Sequence, residues 1–283
     1  MKKIIVANWK MNHGFDESDS WVVEFIKLYE NEKVLLKNLE AIICPPAILI
    51  DNMSASLMDY SFEKIETEIA KAGKQVDDFS EDELAHFVLE ERPFAVGAQD
   101  CHFAESGSFT GDISVGNLLE VGAEFVIVGH SERRSKHFES DGIIAQKIKT
   151  IAAKGLTPIL CVGESKEQRD LGKHLEFVYH QILRSIPKDI HLERLIIAYE
   201  PIWAIGSGIV PTQAQIVEMA KLIKRICVEK IAKVANEFAL LYGGSVSTKN
   251  AKEILTIANV DGLLVGGASL DASGFFEICK QVL

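Results

Sequence analysis

The chain has 283 residues, 47% of them apolar, and carries a formal charge of −11. That balance excludes broad nonspecific binding to nucleic acid or anionic membrane, which needs basic surface, but leaves room for a small anionic ligand in a locally positive site. The length suits one or two domains, and α/β barrels commonly run as single units of roughly 200–250 residues.

Read in chain order, eight short apolar runs recur: IIVANW (4–9), AIICPP (41–46), FAVGAQD (94–100), FVIVGHSE (125–132), TPILCVGE (157–164), LIIAYEP (195–201), FALLYGGS (238–245) and GLLVGGAS (262–269). Each is continuous rather than alternating, as expected of strands covered on both faces. Amphipathic stretches lie between them, among them residues 16–36, 141–155 and 212–237, and these predict helices. Strand then helix, repeated in this way, predicts an α/β fold of the (β/α)8 type. An open doubly wound sheet is the rival, but the GxGxxG fingerprint it often carries after the first strand is absent.

The second and third runs stand further apart than most. Residues 51–93 contain two helix-like pieces, 61–75 and 80–91, and from 63 to 92 there are ten acids against four bases. This predicts a single domain over 1–283 with 51–93 as a lengthened, solvated helical excursion between strands 2 and 3.

A barrel gathers functional residues at the C-terminal ends of its strands. Those ends carry Asn8 and Lys10, Gln99 and Asp100, His130 and Glu132, Glu164, Glu200, Ser245 and the pair Gly266 and Gly267. Glu200 follows a buried run and precedes PIWAIGSG. Desolvation makes a carboxylate a better base at neutral pH, and a closing apolar segment supplies desolvation. Trp203 and Ile205 are the side chains such a lid buries, with Gly206 and Gly208 as its hinge. His130 ends a strand where a helix opens, and a helix N-terminus disfavours positive charge, so a neutral imidazole that donates to a substrate carbonyl is expected. Lys10 would place an ammonium over the barrel mouth, against an anionic substrate and a developing oxyanion, with Asn8 holding it or the substrate. Ser245, Gly266 and Gly267 sit where barrels often build a phosphate site from backbone amides.

The five cysteines form no CxxC pair, which suits reduced thiols in a cytosolic protein. The opening apolar run, Ile4 to Ala7, is shorter than the ~7–15 residues of a secretory h-region, and no run approaches the ~20 of a membrane span. The other histidines show no metal-ligand spacing, so no metal is expected.

NWKMN, VGHSERR, YEPIWAIGSG, LLYGGSV and LLVGGASL, in that order, resemble the motifs of the triosephosphate isomerase family. The resemblance spans the chain outside 51–93. It implies a TIM barrel that interconverts dihydroxyacetone phosphate and D-glyceraldehyde 3-phosphate through an enediolate, in glycolysis and gluconeogenesis, without a cofactor. It makes Glu200 the base, His130 the electrophile, Lys10 an electrostatic partner, Asn8 an orienting group and Glu132 an organiser of the site. The phosphate would be gripped by backbone around Gly206, Ser245, Gly266 and Gly267. This family is itself the standing example of a glutamate base beside a neutral imidazole under a closing loop, so those roles come with the resemblance. SGSFTGD (106–112) is similar to the family's dimer loop, which implies a homodimer with Thr110 reaching toward the partner's site. Asp100 departs from the asparagine common at its place and adds a negative charge. The alternatives are a Schiff-base aldolase using Lys10 or a noncatalytic phosphate-binding barrel.

Overall fold

The structure, a computed structural model, describes residues 2–33, 38–205 and 209–282. Among these, eight strands close into one parallel barrel in chain order: β1 (Lys3–Asn8), β2 (Leu39–Cys44), β3 (Ala95–Ala98), β4 (Phe125–Val128), β5 (Thr157–Val162), β6 (Leu192–Tyr199), β7 (Ala235–Tyr242) and β8 (Gly262–Val265). The helices between them are α1 (Phe15–Glu32), α2 (Ile50–Lys71), α3 (Glu81–Glu91), α4 (Val115–Glu120), α5 (Ser131–Lys136), α6 (Asp141–Ala153), α7 (Lys166–Asp170), α8 (His174–Ser185), α9 (Gln213–Ile226), α10 (Ala251–Leu255) and α11 (Ala272–Lys280).

Continuous apolar runs work here because each strand faces two apolar layers. Side chains alternate across a strand. In β1, Ile4 and Val6 point into the barrel, where they join Ile42, Ile127, Ile159 and Leu241. Ile5 and Ala7 point outward into the larger core under the helices. In that outer layer Trp21 of α1 stacks on Phe25, ring centroids 5.0 Å apart, and donates its indole N–H to Ser269 O at 3.1 Å.

The barrel closes where β1 pairs with β8, from Ile4 opposite Gly262 to Ala7 opposite Val265. A β-carbon at position 262 would overlap the carbonyl of Ile4, so glycine is required at the seam. Gly163 plays the same part after β5, where a β-carbon would overlap the carbonyl of Glu200. Helix starts are fixed by side chains. Ser165 Oγ accepts from the Gln168 amide at 3.2 Å while Gln168 Oε1 accepts from the Ser165 amide at 2.7 Å, a reciprocal cap that sets α7.

All eight expected strands are present. The helix expected over 212–237 ends sooner. The α-helix stops at Ile226, a π-turn covers Cys227–Ile231, and β7 begins at Ala235. Pairing of Leu192 with Ala235 and Arg194 with Glu237 takes that stretch into the sheet despite its helical pattern. Between β2 and β3 stand α2 and α3.

Candidate active site

Eight of the residues singled out in the sequence line one cavity of about 240 Å³: Asn8, Lys10, His130, Glu200, Ile205, Ser245, Gly266 and Gly267. Gly243, Gly244, Val246 and Leu264 complete its wall. Glu132 lies outside that lining and reaches the site through Lys10. Gly206, expected at the phosphate, and the expected hinge at Gly206 and Gly208 lie outside the described residues.

Lys10 is held in an unusual backbone conformation. Its φ is 53°, in the left-handed region that residues other than glycine seldom occupy. Two amides pin it there: Asn8 Oδ1 accepts from Lys10 N at 3.0 Å, and Gln99 Nε2 donates to Lys10 O at 2.7 Å. The Lys10 side chain then places Nζ 2.6 Å from Glu132 Oε1. Burial works against the ionised form of Glu132, but the bond to Lys10 and the charge of the His130 ring outweigh it and hold the carboxyl below its usual range.

His130 caps α5 and is 6% exposed. Its Nδ1 accepts from the Glu132 backbone N–H at 3.2 Å, which needs a lone pair on that nitrogen. Its Nε2 lies 3.0 Å from Glu200 Oε1. Burial disfavours the imidazolium, yet the Glu200 carboxylate beside it prevails and the ring's pKa stands above its ordinary value. Two influences therefore oppose each other at one ring: the amide at Nδ1 favours the neutral form, and the carboxylate at Nε2 favours the charged one.

Glu200 is 2% exposed. Its Oε2 accepts from the Ser131 backbone N–H at 2.9 Å, the first amide of α5. Its Oε1 has no aligned hydrogen-bond donor among the described residues. One oxygen is thus held by an amide and the other faces the imidazole.

The wall opposite is built for backbone approach. Gly267 begins a 3-10 turn, and a β-carbon there would meet nothing within 4 Å. Gly244 has no such freedom, since a β-carbon would overlap the Tyr242 hydroxyl. Ser245 Oγ donates to Ala204 O at 2.7 Å, so its hydroxyl tethers the segment that follows Glu200.

A second network, unassigned from the sequence, lies under that segment. Glu164 is fully buried at the end of β5. Its Oε1 accepts from Trp203 Nε1 at 2.8 Å, Arg169 Nε at 2.7 Å and Tyr199 Oη at 3.1 Å. The Arg169 guanidinium also lies 5.5 Å from the Trp203 ring centre. Glu164 had one legible sign, its place at a strand end, but Arg169 and Tyr199 had none.

Asp100 faces cations. Lys147 Nζ, 4% exposed at its side chain, sits 2.6 Å from Asp100 Oδ1 and 2.7 Å from Glu139 Oε1. Arg133 lies 2.8 Å from Asp100 and 2.7 Å from Glu139. The added negative charge is therefore matched within the chain. All five cysteines are free and buried. Among the described residues no group of three or more His, Cys, Asp or Glu is placed to hold a metal ion, and no helix is long and apolar enough to cross a membrane.

A closed (β/α)8 barrel with an acid, an imidazole and an ammonium on one rim cavity defines an enzyme of acid–base chemistry on a small anion. A profile of triosephosphate isomerase matches residues 3–74 and 78–282, passing over only 75–77 between those limits. The chain is 38% identical over 280 residues to triosephosphate isomerase of Bradyrhizobium sp. (strain ORS 278), covering 99% of this chain and 98% of that one. It is 40% identical over 281 residues to triosephosphate isomerase of Xanthobacter flavus, with the same coverage. A solved structure of triosephosphate isomerase from Bartonella henselae superposes with a TM-score of 0.76 at 33% identity, over 100% of this chain and 99% of that one. The chain belongs to the triosephosphate isomerase family, enzymes that interconvert dihydroxyacetone phosphate and glyceraldehyde 3-phosphate. The likeness extends into most of the 51–93 segment that the motifs left out.

Proposed function

We propose that Glu200 is the base that moves the proton between the two substrate carbons, with His130 and Lys10 steadying the oxygens of the enediolate. The observation that carries this reading is the meeting of Glu200, His130 and Lys10 on one cavity of about 240 Å³. Glu200 leaves the Ser131 amide and presents a carboxylate oxygen to the carbon acid. Its departure removes the charge that raises the pKa of the His130 ring. The Glu132 amide at Nδ1 then prevails, and a neutral ring donates from Nε2 to the substrate oxygen. Lys10 balances the negative charge that develops, with Asn8 and Glu132 holding it in place. Backbone at Ser245, Gly266 and Gly267, together with Gly206, grips the phosphate. Ile205 shields the site from water, which protects an intermediate prone to lose phosphate.

The salt bridge of Lys10 to Glu132 disfavours the aldolase reading, since an ammonium is not a Schiff-base nucleophile. The retained acid, imidazole and ammonium disfavour a noncatalytic barrel.

In this reading the enzyme is a homodimer of single-domain subunits in the cytosol, and 51–93 is a lengthened excursion. Large apolar side chains stand exposed on loops after successive strands: Met11 at 96%, Ile48 at 69%, Phe109 at 42% and Phe138 at 84%. A second copy seated on loop 106–112, with Thr110 at its tip, covers them. The five buried thiols fit a reducing compartment.

The test is a coupled assay with dihydroxyacetone phosphate. Glu200→Gln should lower kcat by roughly 10²–10⁴, the usual loss on removing a general base, while a phosphoglycolate probe still binds. Near-normal turnover would remove Glu200 from the role.

A further inference from the structure

The helices α2 and α3 carry a surface that the isomerase chemistry does not use. They enclose a small core of their own: Ile65, Ile69 and Val88 are buried, with Val76, Phe79 and Phe87 packed against them. An apolar cavity of about 280 Å³ opens between the helices. Ile65, Ile69, Ala72, Phe79 and Phe87 supply its apolar lining, and Glu68, Glu90 and Glu91 its carboxylates, of which Glu68 pairs with Lys71 and Glu91 with Lys33. The two phenyl rings stand edge to face, centroids 5.8 Å apart. Lys74 holds its ammonium 5.2 Å from the centre of the Phe79 ring, so the site already attracts a cation from its own chain. Leu89 is 50% exposed on the same pair of helices. The surrounding segment, 63–92, has ten acids against four bases. The turn at residues 75–77, which brings Val76 to this core, is the stretch that the family profile passes over.

We propose that this face is a docking surface for a basic amphipathic segment of another protein. One apolar side chain of the partner enters the cavity that Ile65, Ile69, Phe79 and Phe87 line. Its lysines or arginines meet the carboxylates and the aromatic faces. The charge chooses among occupants. Nucleic acid and anionic membrane are repelled by it. A second copy of this chain, joined by a two-fold axis, would set the same acidic patch against itself.

The experiment uses the full chain and a labelled 18-residue helical peptide of lysine and leucine with one central phenylalanine. A version with glutamate in place of lysine is the control. Binding is read by fluorescence anisotropy, and its location by methyl NMR. The expected result is shifted methyl signals at Ile65, Ile69 and Val76, binding that weakens by roughly tenfold from low to high salt, and none by the acidic control. Ala72→Trp fills the cavity and Glu90→Lys reverses a rim charge, and each should weaken binding by about tenfold with isomerase turnover unchanged. Absent methyl shifts, or undiminished binding by Ala72→Trp, would overturn the proposal. So would a wild-type oligomer that both substitutions dissociate in sedimentation, since the face would then belong to a second copy.

Discussion

Glu200 Oε1 lies 3.0 Å from His130 Nε2 while Glu200 Oε2 is held by the Ser131 amide at 2.9 Å. The carboxylate that acts as base in the proposed reaction therefore sets the electrostatics of the imidazole before substrate arrives. Moving one group changes the other.

That coupling is measurable at the ring. The His130 pKa stands above its ordinary 6.5, because the Glu200 carboxylate outweighs burial. A raised histidine pKa adds stability that is fully present below about 6.5 and lost as pH rises through the folded value. NMR titration should give a midpoint above 6.5 in the wild type and a lower one in Glu200→Gln. An unchanged midpoint would show that the carboxylate is not the cause.

The segment after β6 depends on a buried acid. Trp203, Arg169 and Tyr199 all donate to Glu164 Oε1. Glu164→Gln keeps the shape but takes from Arg169 its buried charged partner, leaving the half-exposed Glu218 3.7 Å away, and should cost about 3 kcal/mol in urea unfolding. Its emission spectrum should shift to the red as the Trp203 N–H exchanges a charged acceptor for a weaker neutral one, because Trp9 and Trp21 are buried elsewhere. Stability and emission both equal to wild type would show that the bond holds nothing in place.

Two carboxylates share the Lys147 ammonium, which favours the ionised form of both, yet their pKa values move in opposite directions. Burial opposes ionised Glu139, yet Lys147 and Arg133 win and its pKa falls. Burial wins at Asp100, whose pKa rises. Glu139 thus adds stability present above about 4.5 and lost as pH falls through its folded value, whereas ionised Asp100 works the other way. Glu139→Gln should lose about 3 kcal/mol at pH 7, and Asp100→Asn should stay within about 1 kcal/mol of wild type. Urea melts at pH 7 and pH 4 give the comparison, and equal losses would contradict it.

The proposed dimer is tested at Thr110. Thr110→Arg puts a long cation at the tip of loop 106–112, where the partner should sit. At about 1 μM, sedimentation should show the variant mostly monomeric and the wild type dimeric. A variant that stays dimeric would move the contact elsewhere.

The sequence made the barrel legible because its strands are covered on both faces and so lack polar interruption. The site was legible because barrel topology assigns polar residues at strand ends to one rim, from Asn8 to Gly267. Other features were hidden by distance along the chain. Glu164 meets Trp203 across 39 residues and Asp100 meets Lys147 across 47, which no local pattern records. The stretch from Cys227 to Glu237 kept a helical pattern to its end, and only its neighbour β6 decided that its last part would be strand. The short helices α4, α5, α7 and α10 have five or six residues each, less than two turns, too brief for periodicity to register.

The seam at Gly262 bears on how the molecule is made. Its partner, Ile4, is synthesised some 258 residues earlier. On the ribosome, at about 5–20 residues per second, the first strand waits tens of seconds or less with one flank unzipped. Through that interval it is a template for any neighbouring nascent chain. A bulkier residue at 262 would prolong this vulnerable stage, so its first symptom should be lower yield of soluble protein in the cell, ahead of any defect in turnover.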